Sequence, residues 1–278
     1  MRFYFSVSDP SICQYVCLDK DIVPFIDLET LGKQERQGHL PTWKSKQTVE
    51  DISVIKASSK DNPILVRIDP INPFSHLQID DVIARGADII MLPMFKTVSD
   101  YEQFGNLVNG RAELLPLFET SSSLDILPMI IDKYAPVHAH IGLNDLHLDM
   151  GYDFLFEPLV RGDLEKPCQL LNQSNVSFGI GGIARASEGV IPPELLLGEH
   201  VRLGSESVIL SQTFHRNAQN LKDLTDNFDF HEELHKLKSI FGNFSVTGLA
   251  NLEKNRLLIK DRTLDVVNHI RSKKHQIR

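Results

Sequence analysis

"PILVRIDPINPFSHLQIDDVIARGADIIMLP", residues 63–93, holds the fold in miniature. "PILVRID" (63–69) is a short apolar run closed by Asp and Pro, and it reads as a strand. "SHLQIDDVIARG" (75–86) carries apolar residues at a spacing near 3.6 and reads as a helix. "ADIIMLP" (87–93) returns to the strand pattern. Strand, helix, strand in so short a stretch is the unit of a parallel sheet.

The same kind of run recurs on both sides. "RFYFSV" (2–7), "IVPFIDL" (22–28), "ELLPLF" (113–118), "PVHAHIG" (136–142), "VSFGIGG" (176–182) and "HVRLG" (200–204) bring the expected strands to eight. A second helix-like segment, "SSLDILPMIIDKY" (122–134), places Pro128 near a helix start or a kink. Eight strands alternating with helices predict an α/β fold of the (β/α)8 TIM-barrel type. The alternative is an open doubly wound sheet, but no G-x-G-x-x-G follows the first strand. The longer intervals, 29–62 and 143–175, are expected to hold extra loops. Beyond the last strand, "LKDLTDNFDFHEELHKLKSIFG" (221–242) and "NRLLIKDRTLDVVNHIRSKK" (255–274) read as helices. The expected organisation is therefore a barrel over 1–215 and a C-terminal helical extension over 216–278.

The 278 residues carry a formal net charge of −8, with 42% hydrophobic and 24% charged residues, which is ordinary globular composition. An acidic balance without a long basic cluster argues against a nucleic-acid partner. No apolar run approaches the roughly 18 residues of a membrane helix, and "MRFYFSVSDP" lacks the pattern of a signal peptide. Cys13, Cys17 and Cys168 have no paired metal spacing. Reduced thiols in a cytoplasmic protein are the expectation.

In a parallel barrel the loops after the strands form the catalytic face. Asp27 and Glu29 follow the second strand, Arg67 ends the third, Glu119 follows the fifth and Asp145 the sixth. Arg67 interrupts a run that would otherwise be buried, so its charge needs a partner. It either pairs with a carboxylate to tie the barrel closed or serves a ligand. Glu119 and Asp145 stand on adjacent strands, and two such carboxylates can hold a hard divalent cation. Gly181 and Gly182 end the seventh strand, and Gly204 and Ser205 end the eighth by the same pattern. These four residues form either a phosphate-binding pair of loops, with Arg185 on the rim, or plain tight turns. His138 and His140 share a strand face and suit a packed, hydrogen-bonded pair. Trp43 lies in the loop "RQGHLPTWKSKQT", over the site or packed on the surface.

"FIDLE" (25–29), "VRIDP" (66–70), "IMLPM" (90–94), "LFET" (117–120) and "IGLNDLHLDMG" (141–151) follow one another in a familiar order. Over roughly residues 20–210 the chain resembles the HpcH/HpaI aldolase and citrate lyase β-subunit family, whose barrel binds phosphoenolpyruvate or pyruvate. The resemblance implies that Glu119 and Asp145 bind Mg²⁺ or Mn²⁺ and that Arg67 contacts the oxygen that becomes an enolate. It implies that the backbone at Gly142, Leu143 and Asn144 holds the substrate carboxylate, with Asp27 and Glu29 near the metal. Asp145 is expected at the strand end, with "DLHLDMG" turning away into a loop. The implied activity is a metal-dependent carbon–carbon lyase or aldolase acting on a small 2-oxo acid, in a barrel that assembles as a homo-oligomer.

The departures are specific. The aldolase branch carries His directly after the Glu of strand two, and the citrate lyase branch carries Asp there and Pro-Lys on strand four. This chain has Thr30 and Pro93-Met94. The proton-transfer role then falls to Glu29, His39 or a metal-bound water. Two further readings stand beside the first: a lyase of citrate- or malyl-type thioesters, and a metabolite- or partner-binding barrel that has lost its base.

Overall fold

The strand–helix–strand unit at 63–93 is present in the computed structural model, which describes residues 1–32, 47–215 and 218–276. Its strands, β3 (Leu65–Arg67) and β4 (Ile89–Leu92), flank a helix over Ser75–Ala84 and pair in parallel, with Leu65 opposite Ile89 and Arg67 opposite Met91. The other strands are β1 (Arg2–Ser6), β2 (Ile22–Asp27), β5 (Glu113–Phe118), β6 (His138–Ile141), β7 (Ser177–Ile183) and β8 (Ser207–Leu210). They close in sequence order into an eight-stranded parallel barrel, β1 pairing with both β2 and β8.

The period of two along each strand divides the side chains into two layers. One set, Tyr4, Val23, Phe25, Leu65, Ile89, Met91, Leu115 and Leu117, fills the inside of the barrel. The other, including Phe3, Ile26, Val66, Ile90 and Phe118, joins the larger core under the helices. The same alternation sets the catalytic face. Asp27 stands two residues after Phe25, Arg67 two after Leu65, Glu119 two after Leu117 and Gly142 two after His140, each at or just past a strand end.

Among the described residues the helices between the strands are α1 (Pro10–Val16), α2 (Val49–Ser58), α3 (Ser75–Ala84), α4 (Val98–Val108), α5 (Ser121–Asp125), α6 (Leu127–Tyr134), α7 (Leu143–Asp149), α8 (Glu157–Arg161), α9 (Glu165–Gln173) and α10 (Pro193–Leu203). Pro128 sits in the first turn of α6, where its missing N–H costs nothing. The interval 143–175, expected to be loop, is largely helical. "DLHLDMG" is not a loop either, because Gly142 is the N-cap of α7 and Asp145 lies in its first turn.

The eighth strand is not "HVRLG". Residues 200–203 end α10, which begins at a proline-capped turn, buries Leu196, Leu197 and Leu203, and closes on Gly204 in the left-handed region at φ 80. Val201 gave the stretch a strand-like look, yet its apolar residues follow the helical period. The true strand is "SVIL".

Beyond β8 the chain forms α11 (Leu221–Asn227), α12 (Phe230–Ser245) and α13 (Leu249–Gln276). Helices α12 and α13 pack on α10. Leu234, Leu237, Ile259 and Val267 enter the same apolar core as the barrel helices. Asn255 lies against Gly198 of α10 and donates a 2.9 Å bond to Leu195 O. Lys238 bonds Asp19, and Arg271 and Lys274 clasp Asp153. Among the described residues no helix is long and apolar enough to cross a membrane.

Candidate active site

Arg67 ends β3 directly opposite Asp27 of β2. Its Nε donates to Asp27 Oδ1 at 2.9 Å and its Nη2 to Oδ2 at 2.7 Å, a bidentate pair. Glu29 Oε2 lies 3.5 Å from Nε. Burial works against the guanidinium charge, but Asp27, through charge and hydrogen bonds, then Glu29 and Glu119 outweigh it and raise the pKa above its ordinary value. The pairing uses Nε–H and one N–H of Nη2, which leaves the two N–H groups of Nη1 and the second of Nη2 for other partners. Arg67 thus has a structural pair and spare donors at once.

Glu119 follows β5 and is 3% exposed. Its Oε1 accepts the Met94 N–H at 3.0 Å. A Cβ on Gly142 would lie 2.9 Å from both its Cβ and its Oε2, so the carboxyl rests against bare backbone. Burial first, and then the charges of Asp145 and Glu29, push the carboxyl up to about 8 against the pull of Arg67 and the Met94 amide. Asp145, 6% exposed, reaches this region from the first turn of α7. Asp27, Glu29, Arg67, Glu119, Gly142 and Asp145 are thereby gathered at one end of the barrel, as the sequence suggests.

A buried carboxyl raised by two neighbouring carboxylates is an arrangement that a cation relieves. All the donors are oxygens, which suits a hard cation such as Mg²⁺ or Mn²⁺. Among the described residues no group of three or more His, Cys, Asp or Glu stands ready to hold a metal. A hard cation can also be held by one or two protein carboxylates completed by water and substrate oxygens.

Three contributors gave little sign in the sequence. Met94, with φ 53, occupies the left-handed region that usually selects glycine, and there its amide meets Glu119. Asp69, within "VRIDP", accepts Thr30 N at 2.7 Å, Leu31 N at 2.9 Å and Gln78 Nε2 at 3.1 Å. Gln47 accepts Asp27 N at 2.9 Å and donates to Val7 O at 2.9 Å. The segment between these anchors contains His39 and Trp43, which lie outside the described residues.

The expected phosphate loops are not brought together. Gly204 caps α10 and Ser205 precedes β8, so both lie at the opposite end of the barrel from Glu119. Ser205 is buried and bonded to His200 Nδ1 at 2.8 Å. Gly181 and Gly182 are inside β7, at a bulge, with Leu143 packed on Gly181. Arg185 is neither solvated nor on an open rim; it is buried, pairs with Glu188 and stacks on Phe228 at 4.3 Å. His138 and His140 are not bonded to each other. His138 Nε2 lies 3.3 Å from Glu113 Oε1, and His140 Nε2 lies 3.2 Å from Gly181 O.

No family model matches this sequence, and no curated protein matches it. Solved structures do. An HpcH/HpaI aldolase from Desulfitobacterium hafniense DCB-2 superposes with a TM-score of 0.57 at 14% identity, covering 78% of this chain and 90% of that one. An HpcH/HpaI aldolase/citrate lyase family protein from Burkholderia cenocepacia J2315 gives 0.59 at 14%, covering 81% and 94%. The chain shares its barrel fold with these two structures. Macrophomate synthase shares it, with a TM-score of 0.53 at 13% identity over 89% of this chain and 86% of that one. At such identities the likeness to HpcH/HpaI aldolases speaks for the barrel and its strand order, and the chemistry has to be argued from the residues.

Proposed function

We propose that this chain is a divalent-metal-dependent carbon–carbon lyase or aldolase acting on a small 2-oxo acid, pyruvate or oxaloacetate or a larger adduct of one. The observation that carries the reading is Glu119, a carboxyl buried against Gly142 and pushed up by Asp145 and Glu29, beside an arginine that Asp27 holds in place. Mg²⁺ or Mn²⁺ held by Glu119 and Asp145 would act as a Lewis acid toward the oxo group.

The chain's own residues supply the rest. Gly142, Leu143 and Asn144 offer backbone to the substrate carboxylate, and the missing side chain at Gly142 leaves room for the Glu119 carboxyl beside them. Arg67 Nη1 donates to the oxo oxygen, which gains negative charge as the carbon–carbon bond breaks; a donor fixed in advance is worth most at that moment. Glu29, 5% exposed and 3.5 Å from Arg67 Nε, is the carboxylate to which the proposal gives the proton transfer. A thioester lyase would use the same enolate residues with a larger partner. The binding-barrel reading has one observation in its favour: Thr30, following Glu29, is turned to Asp69, with its Oγ1 3.2 Å from Asp69 Oδ1. It supplies no acid or base there.

The experiment is a coupled assay for pyruvate released from 4-hydroxy-2-oxo acids of increasing length, with Mg²⁺ or Mn²⁺ and with chelator. The proposal expects release that the chelator abolishes. Release indifferent to chelator removes the metal, and no release from any substrate favours the binding barrel.

A further inference from the structure

His140 is fully buried inside the barrel, below the end of β6, and no catalytic role has been given to it. Its ring meets Tyr4 edge-on at 5.7 Å. Its Nε2 lies 3.2 Å from the carbonyl of Gly181, across the β6–β7 boundary. A carbonyl only accepts, so this bond assigns the proton to Nε2 and leaves Nδ1 as the lone-pair nitrogen. Burial pushes the imidazole down to about 4, so it stays neutral at ordinary pH.

Two glycines make the seat. Gly179 is the register partner of His140, and a Cβ there would collide with His140 Nδ1 and Ser207 Oγ. Gly181 takes φ +51 within the bulge of β7, which turns its carbonyl to the ring. The other side of Gly181 receives Leu143: a Cβ on Gly181 would stand 2.9 Å from Leu143 Cδ1. Leu143 is the first residue of α7, with Asn144 and Asp145 directly after it. The glycine-rich stretch "FGIGG" is thus a socket joining a β6 histidine to the start of α7.

We propose that His140 is a positioning residue: its Nε2–H bond to Gly181 O holds the β7 bulge in the shape on which Leu143 seats, and so places the turn carrying Gly142, Leu143, Asn144 and Asp145. Its consequence for metal and substrate rests on the function proposed above; the positioning itself does not.

Hydrogen–deuterium exchange on the full chain at pH 7 tests it. His140→Phe keeps a ring but removes the donor, His140→Asn is too short to reach Gly181, and His140→Gln restores an N–H. The α7 peptide, residues 142–149, should exchange about tenfold faster in the Phe and Asn variants, the scale of losing one buried hydrogen bond. In the Gln variant it should exchange as in the wild type, and α4 should be unchanged in all three. Mg²⁺ titration of the same proteins should weaken and recover in parallel. A wild type that takes up no Mg²⁺ would overturn the metal reading alone, because the exchange comparison would still decide the positioning. Unchanged exchange at 142–149, acceleration spread evenly over the barrel, or no rescue by Gln overturns the proposal.

Discussion

Glu119 is a costly residue to keep where it is. A carboxyl buried beside two others is tolerated only where something repays it. Gly142 sits at the centre of that cost, since the carboxyl occupies the space a side chain would take. Gly142→Ala should displace Glu119 by tenths of an ångström and weaken Mg²⁺ binding by at least an order of magnitude, measured by titration calorimetry. Unchanged affinity would mean that Glu119 is no ligand. Arg67→Lys keeps the charge and loses the fork that Asp27 grips; turnover should fall on the order of 10²-fold or more, while near-normal turnover would make Arg67 purely structural. Arg67, Glu119 and Asp145 were legible in the sequence because charged residues interrupt or end apolar runs. Met94 was not. It acts through a backbone amide in a conformation its side chain does not advertise.

At the scale of elements, seven of the eight strands fall where their apolar runs suggest, and the eighth does not. "HVRLG" and "SVIL" are close neighbours, and a five-residue window around Val201 cannot distinguish a helix's last turn from a strand. The Pro193 start and the Gly204 stop settle it, and both were visible as punctuation. The misplacement carried a functional error with it, since a glycine after a strand lies on the catalytic face and a glycine after a helix lies on the other. The C-terminal helices were legible in their apolar periodicity, although where that face docks was not, because docking depends on α10. Ile259 is fully buried in that contact. Ile259→Ala should cost about 2–5 kcal/mol in denaturant unfolding, the range for an aliphatic truncation in a packed core. A loss below about 0.5 kcal/mol, as at a surface position, would mean that α13 is a loosely held appendage.

For the whole molecule, histidines that burial keeps from charging couple stability to pH. Burial lowers His140 and His215 to about 4 and His200 to about 3, against an ordinary value of 6.5. The unfolded chain therefore binds more protons than the folded one below about pH 6.5. Their contribution is complete above that value and is lost as pH falls toward 4. Glu119, raised to about 8, acts in the opposite sense but is outnumbered. The unfolding free energy of the metal-free protein in urea should be clearly lower at pH 5 than at pH 7, by on the order of 1 kcal/mol per histidine; an equal or higher value at pH 5 would contradict it. Val246, Leu249, Leu257 and Leu258 remain exposed on and beside α13. That surface suits the expected homo-oligomer, which light scattering would refute by finding a monomer. The central claim is metal-assisted enolate chemistry at Glu119, Asp145 and Arg67, and proton NMR of pyruvate in D₂O tests it without knowledge of the natural partner. The account predicts that the protein with Mg²⁺ exchanges the pyruvate methyl protons, and that Glu119→Gln, Arg67→Lys and chelator each suppress the exchange. Methyl exchange no faster than in buffer with Mg²⁺ alone, or exchange that survives Glu119→Gln, would contradict it.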